Sequence, residues 1–173
     1  IYTNNMKLIT FVSKNDLNTP KIGAFYKESI IDFSSADLPN NMIDFINLGQ
    51  QGLDIANDFI YQEKGMCDKN EINLKSPIIY PNKILAVGLN YKKHVEEAKE
   101  LKDHHSNEVQ LQDQYPNIFN KQNSSVNDPY SDVHRPNASK WLDYEGEMGF
   151  VIGKECRHVP YDSAKECIYG YTV

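Results

Sequence analysis

Along the first eighty residues the apolar positions change period twice. Lys7–Val12 alternates weakly and is rich in β-forming residues, which predicts a strand. Lys21–Tyr26 and Ser29–Phe33 flank Lys27-Glu28. That is a two-residue hairpin pattern, although neither turn residue is the glycine that primed turns favour. Met42, Ile43, Phe45 and Ile46 then follow helical spacing as far as Gly49, and Leu53, Ile55, Ala56, Phe59 and Ile60 give a second helix. Gly65–Asn73 is polar and turn-rich. Ser76-Pro77 and Tyr80-Pro81 mark extended connections, so a domain boundary is expected near residues 64–80.

Beyond that boundary the pattern becomes strand-dominated. Lys83–Gly88 is a short apolar run between turn signals and predicts a buried strand. A charged helix follows, KKHVEEAKEL, with Asn90 as its expected N-cap. His104–Gln114 reads as an exposed polar loop, and residues 92–116, polar with few apolar anchors, as one of the least ordered or most exposed stretches of the chain. Asn117–Lys121 predicts a brief strand. Trp141–Ile152 predicts the strongest strand in the protein, Asp162–Ile168 a short helix ended by Gly170, and Tyr171–Val173 the start of another strand.

Composition narrows the class. The chain has 173 residues, 40% of them hydrophobic, and 18 are asparagine. That is too much hydrophobe for a disordered chain, and no run is long enough to span a membrane. The net charge of −6, with Arg135 and Arg157 the only arginines, argues against a nucleic-acid partner. Cys67, Cys156 and Cys167 fit neither a zinc knuckle nor a disulfide framework. Cys156 and Cys167 lack an adjacent base and read as packing residues in a reducing compartment. The cytoplasm is expected, with the mitochondrion as the alternative. Residues 1–5 precede the MKLITF run and read as a non-native or upstream remnant.

Three groups of residues carry candidate chemistry. In the segment LDYEGEMGFVIG, strand alternation sets Asp143, Glu145 and Glu147 on one face and Leu142, Tyr144, Met148, Phe150 and Ile152 on the other. Neighbouring acids on such a face stand about 7 Å apart. A bound hard cation relieves their repulsion, and oxygen-only ligands select Mg²⁺, Mn²⁺ or Ca²⁺ over zinc. The same alternation suits an edge strand with its acids in water. His94 and Glu97 share one face of the charged helix at i,i+3, the arrangement of a general base held by a carboxylate. A solvated charged helix makes the same pairs. Lys121, at a strand end before a Ser-rich turn, suits a substrate carboxylate or a plain surface position. His104-His105, His134 and His158 have no third ligand at metal spacing.

Taken in order, ILAVGLNYKKHVEEA, PNIFNKQNSSV, LDYEGEMGFVIGKECRHVP and the helix leading to YGYTV resemble the fumarylacetoacetate hydrolase family. The resemblance covers about residues 77–173, and MKLITF…KIGAF…IIDF resembles the small N-terminal domain many members carry. It implies an α+β, β-rich fold: residues 6–75 as a small N-terminal α/β domain, and 76–173 as the first part of a mixed β-roll. It implies that Glu145 and Glu147 hold Mg²⁺ or Mn²⁺, that His94 and Glu97 are catalytic on a lid helix, and that Lys121 binds substrate. Asp143 and Tyr144 match the motif without an assigned role. The third carboxylate ligand, an Asp in a segment like ANDVSARD, is expected beyond Val173.

The implied partner is a small 2-oxo acid, the implied assembly a homodimer, and neither nucleic acid nor membrane is implied. The implied chemistry is acylpyruvate-type C–C hydrolysis through a metal-stabilised enolate. The alternatives are oxaloacetate decarboxylation or tautomerisation, 2-oxo-acid hydration or isomerisation, or an inactive fragment that only folds or dimerises. Two departures from the family pattern stand out. VNDPYSDVHRP replaces the usual Gly-rich turn before the acidic strand, and residues 98–116 are longer and more polar.

Overall fold

The computed structural model describes residues 1–3, 5–96 and 115–173 in full, and 97–100 as helical backbone. Its architecture is sheet-rich with few helices. The chain divides into two compact units, residues 1–79 with 127–173, and residues 80–126.

In the first unit, β1 (Tyr2–Thr3), β2 (Met6–Ser13), β3 (Asp16–Tyr26) and β4 (Ser29–Asp32) begin an antiparallel sheet. Helices α1 (Met42–Asn47) and α2 (Gly49–Tyr61) follow, then β5 (Met66–Cys67) and β6 (Ile72–Lys75). Alternation along β2 fills both faces of the sheet. Met6 and Leu8 join Ile22, Ala24, Ile31 and Phe33 beneath Met42, Phe45, Ile46, Leu53 and Ala56 of the helices. Ile9 and Phe11 pack with Ile30 on the other side, against Cys67, Ile72 and Leu74. Asn41 caps α1, its Oδ1 accepting from the Asp44 amide at 2.9 Å. Gly49, at φ +55°, makes the break between the two helices.

The hairpin forms where the pattern places it, with Tyr26 paired to Ser29 across Lys27-Glu28. Lys27 takes the positive φ that glycine usually supplies. Its ammonium stacks over Tyr26, 4.5 Å from the ring centroid, and meets Glu63 at 2.8 Å, which offsets part of the backbone cost.

The structure corrects several expectations. Gly65–Asn73 is not simply turn: Met66–Cys67 pairs with β4, and Ile72 opens β6, which shares one edge of β2 with β1. Such short edge strands carry too few residues to show alternation. Trp141–Ile152 is not one long strand. Only β9 (Gly149–Ile152) is, because only there does β10 (Ile168–Thr172) supply a hydrogen-bonding partner. The short helix expected at 162–168 forms as the 3-10 helix Tyr161–Cys167, but Gly170 lies inside β10 rather than ending it. A Cβ at Gly170 would sit 2.6 Å from the Tyr2 carbonyl oxygen, so the glycine lets β1 and β10 approach. The sheet order is β5-β4-β3-β2-β1-β10-β9, with β6 beside β2.

The second unit holds β7 (Ile84–Gly88), α3 (Lys92–Glu100) and β8 (Asn117–Lys121). β7 and β8 pair in an antiparallel two-stranded sheet from Ile84↔Lys121 to Gly88↔Asn117. The expected strand at 83–88 forms, but it is half-exposed rather than buried, with Leu85 63% exposed. Among the described residues no helix is long and apolar enough to cross a membrane.

Candidate functional site

In the second unit the candidate base is set by a strand–turn–helix step. β7 ends at Gly88, and Leu89 turns the chain with φ +52°, a left-handed conformation that costs a leucine about 1 kcal/mol. α3 then starts at Lys92, and the Tyr91 carbonyl accepts from the Val95 amide at 3.0 Å. The helix thus begins one residue later than an Asn90 cap would start it. His94 sits in its first turn, half-buried. Glu97 lies one turn on, at the i,i+3 position, but its side chain is outside the described residues. So is 101–114, which includes His104-His105 and most of the expected lid. Leu89 is the positioning residue that sequence reading misses, because nothing about a leucine announces a positive φ.

Lys121 closes β8 opposite Ile84, and its side chain is exposed. Its Nζ lies 5.1 Å from the centroid of the Phe119 ring, two residues back on the same strand face. The neighbouring turn is tied to the segment that leads into β7, with the Asn123 side-chain amide donating to the Pro81 carbonyl at 2.6 Å. Lys121 therefore stands at an ordered strand end.

In the first unit, Glu145 and Glu147 lie in an irregular stretch, 141–148, that leads into β9. Glu145 is exposed and Glu147 half-buried. Gly149, two residues after Glu147, pairs with Thr172 and fixes the end of this stretch against the sheet. Asp143 accepts from the Tyr144 amide at 2.9 Å, a local turn contact. Two carboxylates two residues apart offer the hard oxygen donors that Mg²⁺ and Mn²⁺ prefer. Among the described residues no three His, Cys, Asp or Glu side chains group together as a metal cage. The donor chemistry of the Glu145 and Glu147 carboxylates thus fits a hard cation.

A groove of about 630 Å³ in the first unit is lined by Leu17, Phe25, Leu74, Lys75, Asp128 and Tyr130, among others, and holds none of the candidate site residues. Of the two C-terminal cysteines, Cys167 is buried as expected of a packing residue, whereas Cys156 is exposed.

Comparison with known proteins decides the family. The family model for the fumarylacetoacetate (FAA) hydrolase C-terminal domain matches residues 83–173. The chain belongs to the fumarylacetoacetate hydrolase family. This family includes enzymes, and the match spans every candidate site residue named above. The mitochondrial oxaloacetate tautomerase fahd2 of Xenopus laevis is 32% identical over 173 residues, covering 98% of this chain and 51% of that protein. An uncharacterized protein of Methanocaldococcus jannaschii is 38% identical over 136 residues, covering 76% of this chain and 50% of that one. The solved fumarylacetoacetate hydrolase of psychrophilic Exiguobacterium antarcticum matches with a TM-score of 0.68 at 24% identity, over 96% of this chain and 53% of that one. It shares the fold. The chain spans about half the length of the relatives it matches.

Proposed function

We propose that this protein acts on 2-oxo acids with the help of a divalent cation, Mg²⁺ or Mn²⁺, by promoting formation of an enolate. The observation that carries the reading is the family match over residues 83–173, which contains His94, Glu97, Lys121, Glu145 and Glu147 in one stretch of chain. Glu145 and Glu147 supply two oxygen ligands. The cation, when bound, polarises the 2-oxo group and stabilises negative charge developing on its oxygen. His94 accepts a proton, and Glu97 orients its ring. Lys121 pairs with a substrate carboxylate.

The name of the Xenopus laevis relative favours keto–enol exchange of oxaloacetate as the reaction, with His94 moving the proton on the carbon next to the 2-oxo group. It also supports the mitochondrion over the cytoplasm. A second reading, C–C hydrolysis of an acylpyruvate, is favoured by the hydrolase activity for which the matching family is named. There His94 takes its proton from water instead.

The test follows the ultraviolet absorbance of oxaloacetate enol, with Mg²⁺ or Mn²⁺ and after EDTA, alongside pyruvate release from an acylpyruvate. A metal-dependent loss of enol signal without pyruvate release supports the first reading. Metal-dependent pyruvate release supports the second. Turnover unchanged by EDTA, or absent from both assays, overturns the proposal.

A further inference from the structure

Phe119 and Lys121 stand on one face of the β7–β8 ladder, which runs Ile84↔Lys121, Ala86↔Phe119 and Gly88↔Asn117. A Cβ at Gly88 would sit 3.7 Å from Cε1 of Phe119, so the ring lies against the last residue of β7. The Lys121 ammonium lies 5.1 Å from the centroid of the same ring. One aromatic side chain therefore meets both Lys121 and the end of β7, where Leu89 turns the chain into α3 and His94.

The partner of Lys121 differs from that of other lysines. Lys21, Lys27, Lys69, Lys75 and Lys154 each meet a carboxylate. Among the described residues Lys121 meets none, and its ammonium faces the ring instead. A carboxylate partner neutralises a lysine and occupies its N–H donors. A ring attracts the ammonium through its quadrupole and leaves charge and donors available to an incoming anion. It also narrows the rotamers of the four-carbon stem, which lowers the freedom lost when that anion binds. Phe119 is 40% exposed and Lys121 is exposed, so a small anion reaches the pair from solvent.

We propose that Phe119 is a positioning residue, whose ring holds the Lys121 ammonium where it receives the carboxylate of a 2-oxo acid. This rests on the reading of Lys121 as the group that pairs with the substrate carboxylate. Removing the ring keeps the charge but releases its position, so the loss falls on substrate affinity rather than on the chemical step.

The test measures kcat and KM of the metal-dependent turnover, enol loss or pyruvate release, in the wild type, Phe119→Leu, Phe119→Tyr, Lys121→Met and the Phe119→Leu/Lys121→Met double variant. Phe119→Leu should raise KM about two- to fivefold, the size of one exposed cation–π contact, with a smaller change in kcat. Phe119→Tyr, which keeps the aromatic face, should restore KM. Lys121→Met should raise KM, and adding Phe119→Leu to it should raise KM no further. A readout independent of turnover is the proton NMR signal of the Lys121 ε-methylene, assigned by its loss in Lys121→Met. The ring should move it upfield in the wild type and in Phe119→Tyr, and the shift should vanish in Phe119→Leu. If Phe119→Leu does not fold, Phe119→Met serves in its place. An ε-methylene signal unchanged by the loss of the ring, or a rise in KM that is equal with and without the ammonium, overturns the positioning role. If Lys121→Met raises KM and Phe119→Leu does not, the substrate role of Lys121 stands and the positioning role alone is overturned. A wild-type KM in Lys121→Met, or no turnover in either assay, overturns the reading of the site and this inference with it.

Discussion

Phe150 of β9 and Tyr171 of β10 are register partners whose rings meet edge to face, with centroids 5.6 Å apart and planes at 67°. Tyr171 is paired in turn with Tyr2 of β1, so an aromatic row crosses three strands. All three side chains are about half-exposed. The ring contact adds to the backbone ladder that joins β9 to the sheet, without deep burial of either ring. A double-mutant cycle of Phe150→Ala and Tyr171→Ala, followed by denaturant unfolding, should return a coupling of about 0.5–1.5 kcal/mol. Strict additivity would show that the contact contributes nothing.

Gly170, one residue from that row, is expected to be intolerant of any side chain. The nearest obstacle to a Cβ is a backbone oxygen, which cannot rotate away, and the Ile1 side chain lies 2.7 Å from the same point. Gly170→Ala should cost about 1–3 kcal/mol, the range for overpacking. Gly146, which has nothing within 4 Å of a built Cβ, is the matched control. Its alanine variant should stay close to wild type in the same unfolding measurement.

Asp32 gives a pH signature. Burial pushes its carboxyl up, but donors from the Ser34 hydroxyl and amide and from Lys21 together outweigh it, and the net shift is downward. The Lys21 ammonium lies 2.9 Å away. A depressed native value means that the stabilisation is complete above the ordinary Asp pKa of about 3.9 and is lost as the pH falls through the lower native value. Asp32→Asn should therefore cost on the order of 1 kcal/mol at neutral pH, and the gap to wild type should close in acid. A gap that does not change between pH 7 and strongly acidic conditions contradicts this.

For the candidate site, metal binding and chemistry should separate. Glu145→Gln and Glu147→Gln should weaken Mg²⁺ or Mn²⁺ binding as seen by calorimetry. His94→Ala should leave the binding curve in place while lowering turnover by about 10²–10⁴-fold, the usual contribution of a general base. An unchanged rate in His94→Ala would remove the histidine from the mechanism while leaving the family and fold intact.

Most of the local structure in residues 1–61 is determined by the sequence alone, because each element there has its own period. The strand β2, the hairpin across Lys27-Glu28 and the helices α1 and α2 all form where the pattern places them, and Met42, Phe45, Ile46, Leu53 and Ala56 enter the core. The motif order from Ile84 to Val173 likewise carries the family without any coordinates. What the sequence does not determine is where a strand finds a partner. Trp141–Met148 has a strand's alternation, but backbone hydrogen bonds need a neighbouring chain, and the ladder to β10 begins only at Gly149. Cys67 and Ile72 fall in a stretch that reads as turn and become strand residues because β4 and β2 offer open edges. Pairing across the sheet is a non-local event, and no single stretch of sequence encodes it.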